Sequence, residues 1–231
     1  MNEDPLDRVD RHLKAMGHDK WGWVVYRCTY GSDNDWSEFM KKLEALSKEW
    51  FDFYFATEAM RKKHIWNFID DRDRLENASK SDVRRMFNEW VQSPEAAAEQ
   101  PNAKDPMSKV GTSRYRFCMH VDEASLRSVL DDSRDWHINL INRDWTPAED
   151  ASDDDDEDDE NANEACEDYI LPEIEGCTDE DVGWTKASIG IVLGRYISLC
   201  NPSFWYAYYS RPPLIADVSI SLQCLDQDTK N

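Results

Sequence analysis

Trp21-Gly22-Trp23-Val24-Val25-Tyr26-Arg27-Cys28-Thr29-Tyr30 is the stretch on which the reading of the whole chain turns. Aromatic and β-branched side chains suit a pleated backbone, and a near-continuous run of them fits a strand covered on both faces. Gly31 ends the run. Ser32, three residues before Asp35, is then placed to cap a helix. That helix carries Trp36, Phe39, Met40, Leu43, Leu46 and Trp50 at intervals of three and four, one face of a period of about 3.6 residues. Glu38, Lys41, Lys42, Glu44 and Lys48 fall on its other faces.

Working outward, residues 1–20 read as a polar N-terminal arm with a weak helical pattern at Leu6, Val9 and Leu13. Residues 51–63 fit either state: Phe51, Phe53 and Phe55 alternate as in a strand, whereas the segment from Glu58 onward favours helix. Ile65–Ile69 reads as a second strand. Ser79 or Ser81 caps a helix bearing Val83, Met86, Phe87, Trp90 and Val91 on one side. Residues 93–113 hold three prolines and read as a loop. From Arg114 to Asp122 the chain alternates, with Tyr115, Phe117, Met119 and Val121 to one side and Arg114, Arg116, Cys118, His120 and Asp122 to the other. Such a strand predicts a sheet with one packed and one open face. Asp122 caps a short helix over 123–130, and His137–Asn142 gives another strand. Order resumes at Val182–Ser188, a helix follows near 191–199, and Phe204–Tyr209 reads as a strand ended by Pro212 and Pro213. The predicted class is α+β: a mostly antiparallel sheet with helices on one face, built from ferredoxin-like βαβ units. Residues 21–145 and 182–225 form one folded domain, interrupted by a disordered acidic insertion over 146–181 and followed by a tail at 226–231.

The 231 residues carry a formal charge of −21, and its distribution matters more than its size. Between Thr146 and Gly183 there are 18 acidic residues and no Lys or Arg, so the remainder of the chain holds 30 acidic against 27 basic residues. Like charges packed this densely resist compaction, which predicts a disordered segment. The 10 Trp and 12% aromatic content predict a real core elsewhere. No apolar run approaches the ~20 residues of a membrane helix. The first twenty residues have no apolar signal core, so an intracellular protein, cytoplasmic or nuclear and not secreted, is expected, with its six cysteines reduced.

The opening Trp21–Tyr30, Ile69–Arg72 with Val83–Trp90, Arg114–Asp122, Gly183-Trp184 and Trp205–Pro213 together resemble a family of uncharacterised fungal proteins. The resemblance spans most of the chain outside the acidic segment. It implies a single folded unit and brings no catalytic role.

No nucleophile elbow, zinc-protease helix, phosphate loop or dinucleotide fingerprint occurs, and no cofactor or metal is implied. The candidate ligand-binding residues are Arg27, Tyr30, Arg116, His120 and Asp122. Arg116, His120 and Asp122 on one strand face would set an anion-binding guanidinium beside a titratable imidazole and a carboxylate. The plainer alternative is a sheet face with ordinary ion pairs. Arg27 shares its alternation with Trp21, Trp23 and Val25, and a buried arginine needs a partner, ligand or protein. The aromatic cluster 204–209 suits core packing better than base stacking, because the chain lacks the positive surface that nucleic acid requires. The candidate partner-binding residues are Asp153, Asp154, Asp155, Asp156, Glu157, Asp158, Asp159 and Glu160, a run that would attract basic proteins. A non-catalytic binding protein is the leading expectation. A small enzyme or small-molecule binder using the Arg/His/Asp face is the alternative, and the oligomeric state stays open.

Overall fold

The computed structural model describes residues 4–104, 111–131, 136–147 and 171–216, and its fold is α+β. The deciding stretch is strand β1 (Trp21–Arg27), buried at every position. Helix α1 (Pro5–Met16) precedes it. Helix α2 (Asp33–Phe53) follows it and is capped by the Ser32 hydroxyl, which accepts from the Asp35 amide at 3.1 Å. Residues 51–63 resolve as the end of α2 and a short helix α3 (Glu58–Lys63), which leads into β2 (His64–Ile69). Next come α4 (Arg72–Leu75), α5 (Lys80–Val91), α6 (Pro94–Ala98), α7 (Ser113–Arg116), β3 (Phe117–Val121), α8 (Glu123–Leu130) and β4 (His137–Asn142). Beyond the acidic segment lie β5 (Trp184–Ser188), α9 (Ile189–Ser198), α10 (Phe204–Tyr208) and β6 (Ile215–Ala216).

The six strands make one sheet in the order β2-β1-β3-β4-β5-β6. Its pairing is mixed: β1 is parallel to both β2 and β3, β3–β4 and β4–β5 are antiparallel, and β5–β6 is parallel. A ferredoxin-like split βαβ unit would leave room for a strand between β1 and β2, yet here the two pair directly.

Helices cover both faces of the sheet, not one. Trp21, Trp23 and Val25 of β1 join Phe117, Met119 and Val121 of β3 under α1, α2, α8 and α9. On the reverse face Val24, Tyr26, Cys118, Ile141 and Trp184 pack against Val83, Met86, Phe87 and Trp90 of α5. The open face expected for β3 therefore does not exist, and all five of its residues are buried. Residues 113–116 form a helical turn ahead of the strand, so the alternation begins at Phe117 and Tyr115 joins the second cluster.

Residues 5–16 are a docked helix and not a loose arm: Leu6, Val9 and Leu13 are buried, and Gly17 closes the helix in the left-handed region. Residues 204–208 are helical where a strand was expected. Trp205 turns inward and stacks on Phe117 at 5.4 Å, while Phe204 and Tyr206 face outward. Within the acidic insertion, residues 148–170 lie outside the described residues, and so does the run 153–160. Its last part is ordered: Ile174 and Cys177 pair across a tight turn with Glu175 and Gly176 both at positive φ. No helix among the described residues is long and apolar enough to cross a membrane.

Candidate functional site

Parallel strands whose connections run over opposite sheet faces leave a crevice at their carboxyl ends, where α/β sheets bind ligands. The ends of β1 and β3 are such a place, but here the crevice is filled by ion pairs. Arg27, 4% exposed, donates to Asp33 at 2.5 Å, Asp70 at 3.1 Å and the Thr29 carbonyl at 3.0 Å. Its guanidinium lies 4.3 Å from the Tyr30 ring centroid and 5.3 Å from that of Trp36. Burial works against its charge, but the bonds to Asp33 and Asp70 outweigh it and raise the pKa. Thr29 donates to Glu123 at 2.5 Å, and Arg127 bridges Glu123 and Asp35, both at 2.7 Å. Arg27 and Tyr30 are thus brought together as a stitch between β1, β2 and α2.

His120 and Asp122 are also committed internally. The His120 Nε2 faces the Ala78 carbonyl at 2.9 Å, so it carries the proton, and Nδ1 accepts from the Asn139 amide at 3.2 Å. That geometry holds a neutral ring, and burial lowers its pKa further. Asp122 caps α8 through the Ser125 amide at 2.8 Å, accepts from Asn139 at 2.9 Å and lies 3.5 Å from Lys80. Burial raises its pKa, but the bonds from the Ser125 amide and hydroxyl, with the charge of Lys80, more than reverse this. Asn139 is the hub joining the two, and sequence reading passed over it. Arg116 is not part of the group. It ends the helical turn ahead of β3, with roughly 10 Å of strand from Phe117 to His120 between them, and pairs with Asp144 at 3.1 Å. The expected Arg/His/Asp trio is therefore split by the length of one strand.

The concave site lies next to this network, where α5 meets residues 145–147 and 174–184. A cavity of about 260 Å³ is lined by Lys80, Ser81, Arg84, Trp145, Trp184 and the 174–179 turn. Lys80 and Arg84, four residues apart, share a strip of α5 beside the buried face of Val83 and Phe87. The Lys80 ammonium sits 4.6 Å from the Trp184 ring centroid and 2.9 Å from Glu175. The Arg84 guanidinium sits 4.6 Å from that of Trp145 and donates to the carbonyls of Asn142 at 2.9 Å and Gly183 at 3.0 Å. Burial lowers its pKa, as for a cation without an adjoining carboxylate. Gly183, at φ +75°, makes the approach possible: a Cβ there would come within 2.4 Å of both Arg84 Nη2 and Trp145. The Gly183-Trp184 pair and the i, i+4 basic pair are the sequence signals for this cavity.

The aromatic cluster serves the core at its inner positions. Trp205 donates to Asp181 at 2.6 Å, and the Tyr209 hydroxyl accepts from the Val182 amide at 3.0 Å. Cys28, Cys118, Cys177 and Cys200 are free thiols, and no group of three His, Cys, Asp or Glu suited to a metal occurs among the described residues. Neither a family model, nor a curated protein, nor a solved structure matches the chain.

Proposed function

We propose that this chain is a non-catalytic binding protein, in which the α+β domain carries an acidic excursion that attracts basic protein partners. The observation that carries this reading is how the excursion is rooted. Trp145 Nε1 donates to the Asp181 carbonyl at 2.9 Å, which pins the two ends of the acidic segment to each other. Trp205 holds the same Asp181 through its carboxylate. Thirteen of the 18 carboxylates between 146 and 183 fall at 149–168, in the stretch of chain between these two anchors. Charge concentrated in this way steers oppositely charged partners and is screened over about 8 Å at physiological salt. The internal pairing of Arg27, His120 and Asp122 also favours binding over acid–base chemistry, because none of these groups is left poised toward a substrate.

The test is binding of the intact chain to purified histones and ribosomal proteins across a salt series. It is run beside a variant in which the acidic residues from Glu149 to Glu160 are replaced by Asn and Gln. The intact chain should bind with an affinity that falls steeply with salt, and the variant should lose most of it. Equal affinity and equal salt dependence for both would sink the reading.

A further inference from the structure

We propose that the cavity between α5 and the 174–184 segment binds a small organic carboxylate with a flat apolar body. This goes beyond the acidic excursion and does not depend on it. At about 260 Å³ the cavity lies below the size range of drug-like ligands, so its occupant is small. Trp145 and Trp184 line the cavity with indole surface, part of it covered by Arg84 and Lys80, and the uncovered part suits a planar group.

Charge selects the other end of the ligand. A half-buried arginine is ordinarily matched by a carboxylate. Arg84 has none within ion-pair distance among the described residues. Its Nε and Nη2 are spent on backbone carbonyls, which leave its positive charge intact. Lys80, the second cation, is held by Glu175 at 2.9 Å. Glu175 reaches it from a position with φ +51°, where an ordinary side chain is disfavoured by about 1–2 kcal/mol and Asn or Gly is preferred. A carboxylate on a turn residue of unfavourable conformation occupies the lysine as a ligand carboxylate would. The site carries its own stand-in. Lys80 also lies 3.5 Å from Asp122, and Asp179 stands on the rim, so the carboxylates around the two cations leave no net positive charge, and Arg84 alone lacks one at ion-pair distance among the described residues. The balance favours a monoanion over a dianionic phosphate.

The full-length chain is titrated with benzoate, benzamide and phenyl phosphate by calorimetry, with the Trp145 and Trp184 indole N–H signals followed by NMR. Benzoate should bind and shift both signals, and benzamide should bind about tenfold more weakly or worse. Arg84→Gln and Lys80→Gln should each weaken benzoate by about tenfold. Arg84 also clamps two carbonyls, so its variant is interpreted only beside its melting curve. Lys80→Gln and Glu175→Asn carry the decision if that variant unfolds. Glu175→Asn relieves the turn and leaves Lys80 with Asp122 alone, 3.5 Å away, and should tighten benzoate several-fold, about threefold or more. The proposal is overturned if benzoate does not bind, if benzoate and benzamide bind alike, or if Glu175→Asn leaves benzoate unchanged. Tighter binding of phenyl phosphate than of benzoate would overturn the carboxylate class.

Discussion

Gly183 shows how much one residue can decide. Its positive φ and the closeness of Arg84 and Trp145 leave no room for a methyl group. Gly183→Ala should cost about 2–4 kcal/mol, combining left-handed strain with overpacking, and a urea melt would read this directly. His64 makes a second prediction. Its ring packs against Trp21, Phe51 and Trp66, its Nε2 is sealed without a partner, and burial, with a smaller push from Arg114, lowers its pKa to about 3. The unfolded chain takes up that proton near pH 6.5. The stability tied to a neutral His64 is therefore intact above pH 6.5 and lost as pH falls from there toward about 3, by at most about 1.4 kcal/mol per pH unit. His120 and His12 are shifted the same way. Melting temperatures of His64→Phe between pH 7 and 4 should decline less steeply than those of the parent, and an unchanged slope would remove His64 from the account. The residues of the cavity were only half legible. Lys80 and Arg84 can be read as a basic pair on one helix face, but the opposing wall lies 99 positions further on, at Gly183. No local pattern reports a contact of that range.

Among the elements, α1 is the one whose sequence undersold its role. Three apolar residues in a charged segment look like a weak signal, yet all three are buried in the main core. Leu13→Ala should cost about 2–5 kcal/mol, whereas a loose arm would tolerate it within about 0.5 kcal/mol; thermal unfolding separates the two. The strand mistaken at 204–209 has a related cause. Consecutive aromatics satisfy any periodicity, and the helical signal there is two i, i+4 pairs, Phe204 with Tyr208 at 6.0 Å and Trp205 with Tyr209 at 5.4 Å. In contrast, α2 and α5 were legible because capping serines and apolar spacing agree. Ser79 accepts from the Asp82 amide at 3.0 Å, and Ser79→Ala should cost about 1 kcal/mol by the same melt. For β3, the alternation from Phe117 onward was sound, but the helix covering its second face is contributed by α5, which nothing within the strand announces.

At the scale of the molecule, an α+β fold could be read from strand and helix patterns, but strand order could not, because pairing partners are chosen by packing between distant segments. The placement of helices on both faces follows from the direct parallel contacts of β1 with β2 and β3. The acidic excursion joins two antiparallel neighbours, β4 and β5, whose ladder runs from His137 with Ser188 to Ile141 with Trp184. Replacing residues 148–170 by a short Gly/Ser linker should change folding stability by less than about 1 kcal/mol, since loop closure depends only weakly on length. A large loss in the melt would show that the segment also packs on the body.

The staple between Trp145 and Asp181 has one more consequence. The residues after it bring β5, α9 and the buried Trp205, Tyr196 and Leu199 into a core otherwise made by the first half. A specific protease site placed between β4 and β5 would therefore yield two polypeptides that remain one particle, separating on a denaturing gel but eluting together under native conditions. The junction is a natural place to divide this protein into complementing halves, each meaningful only in the company of the other.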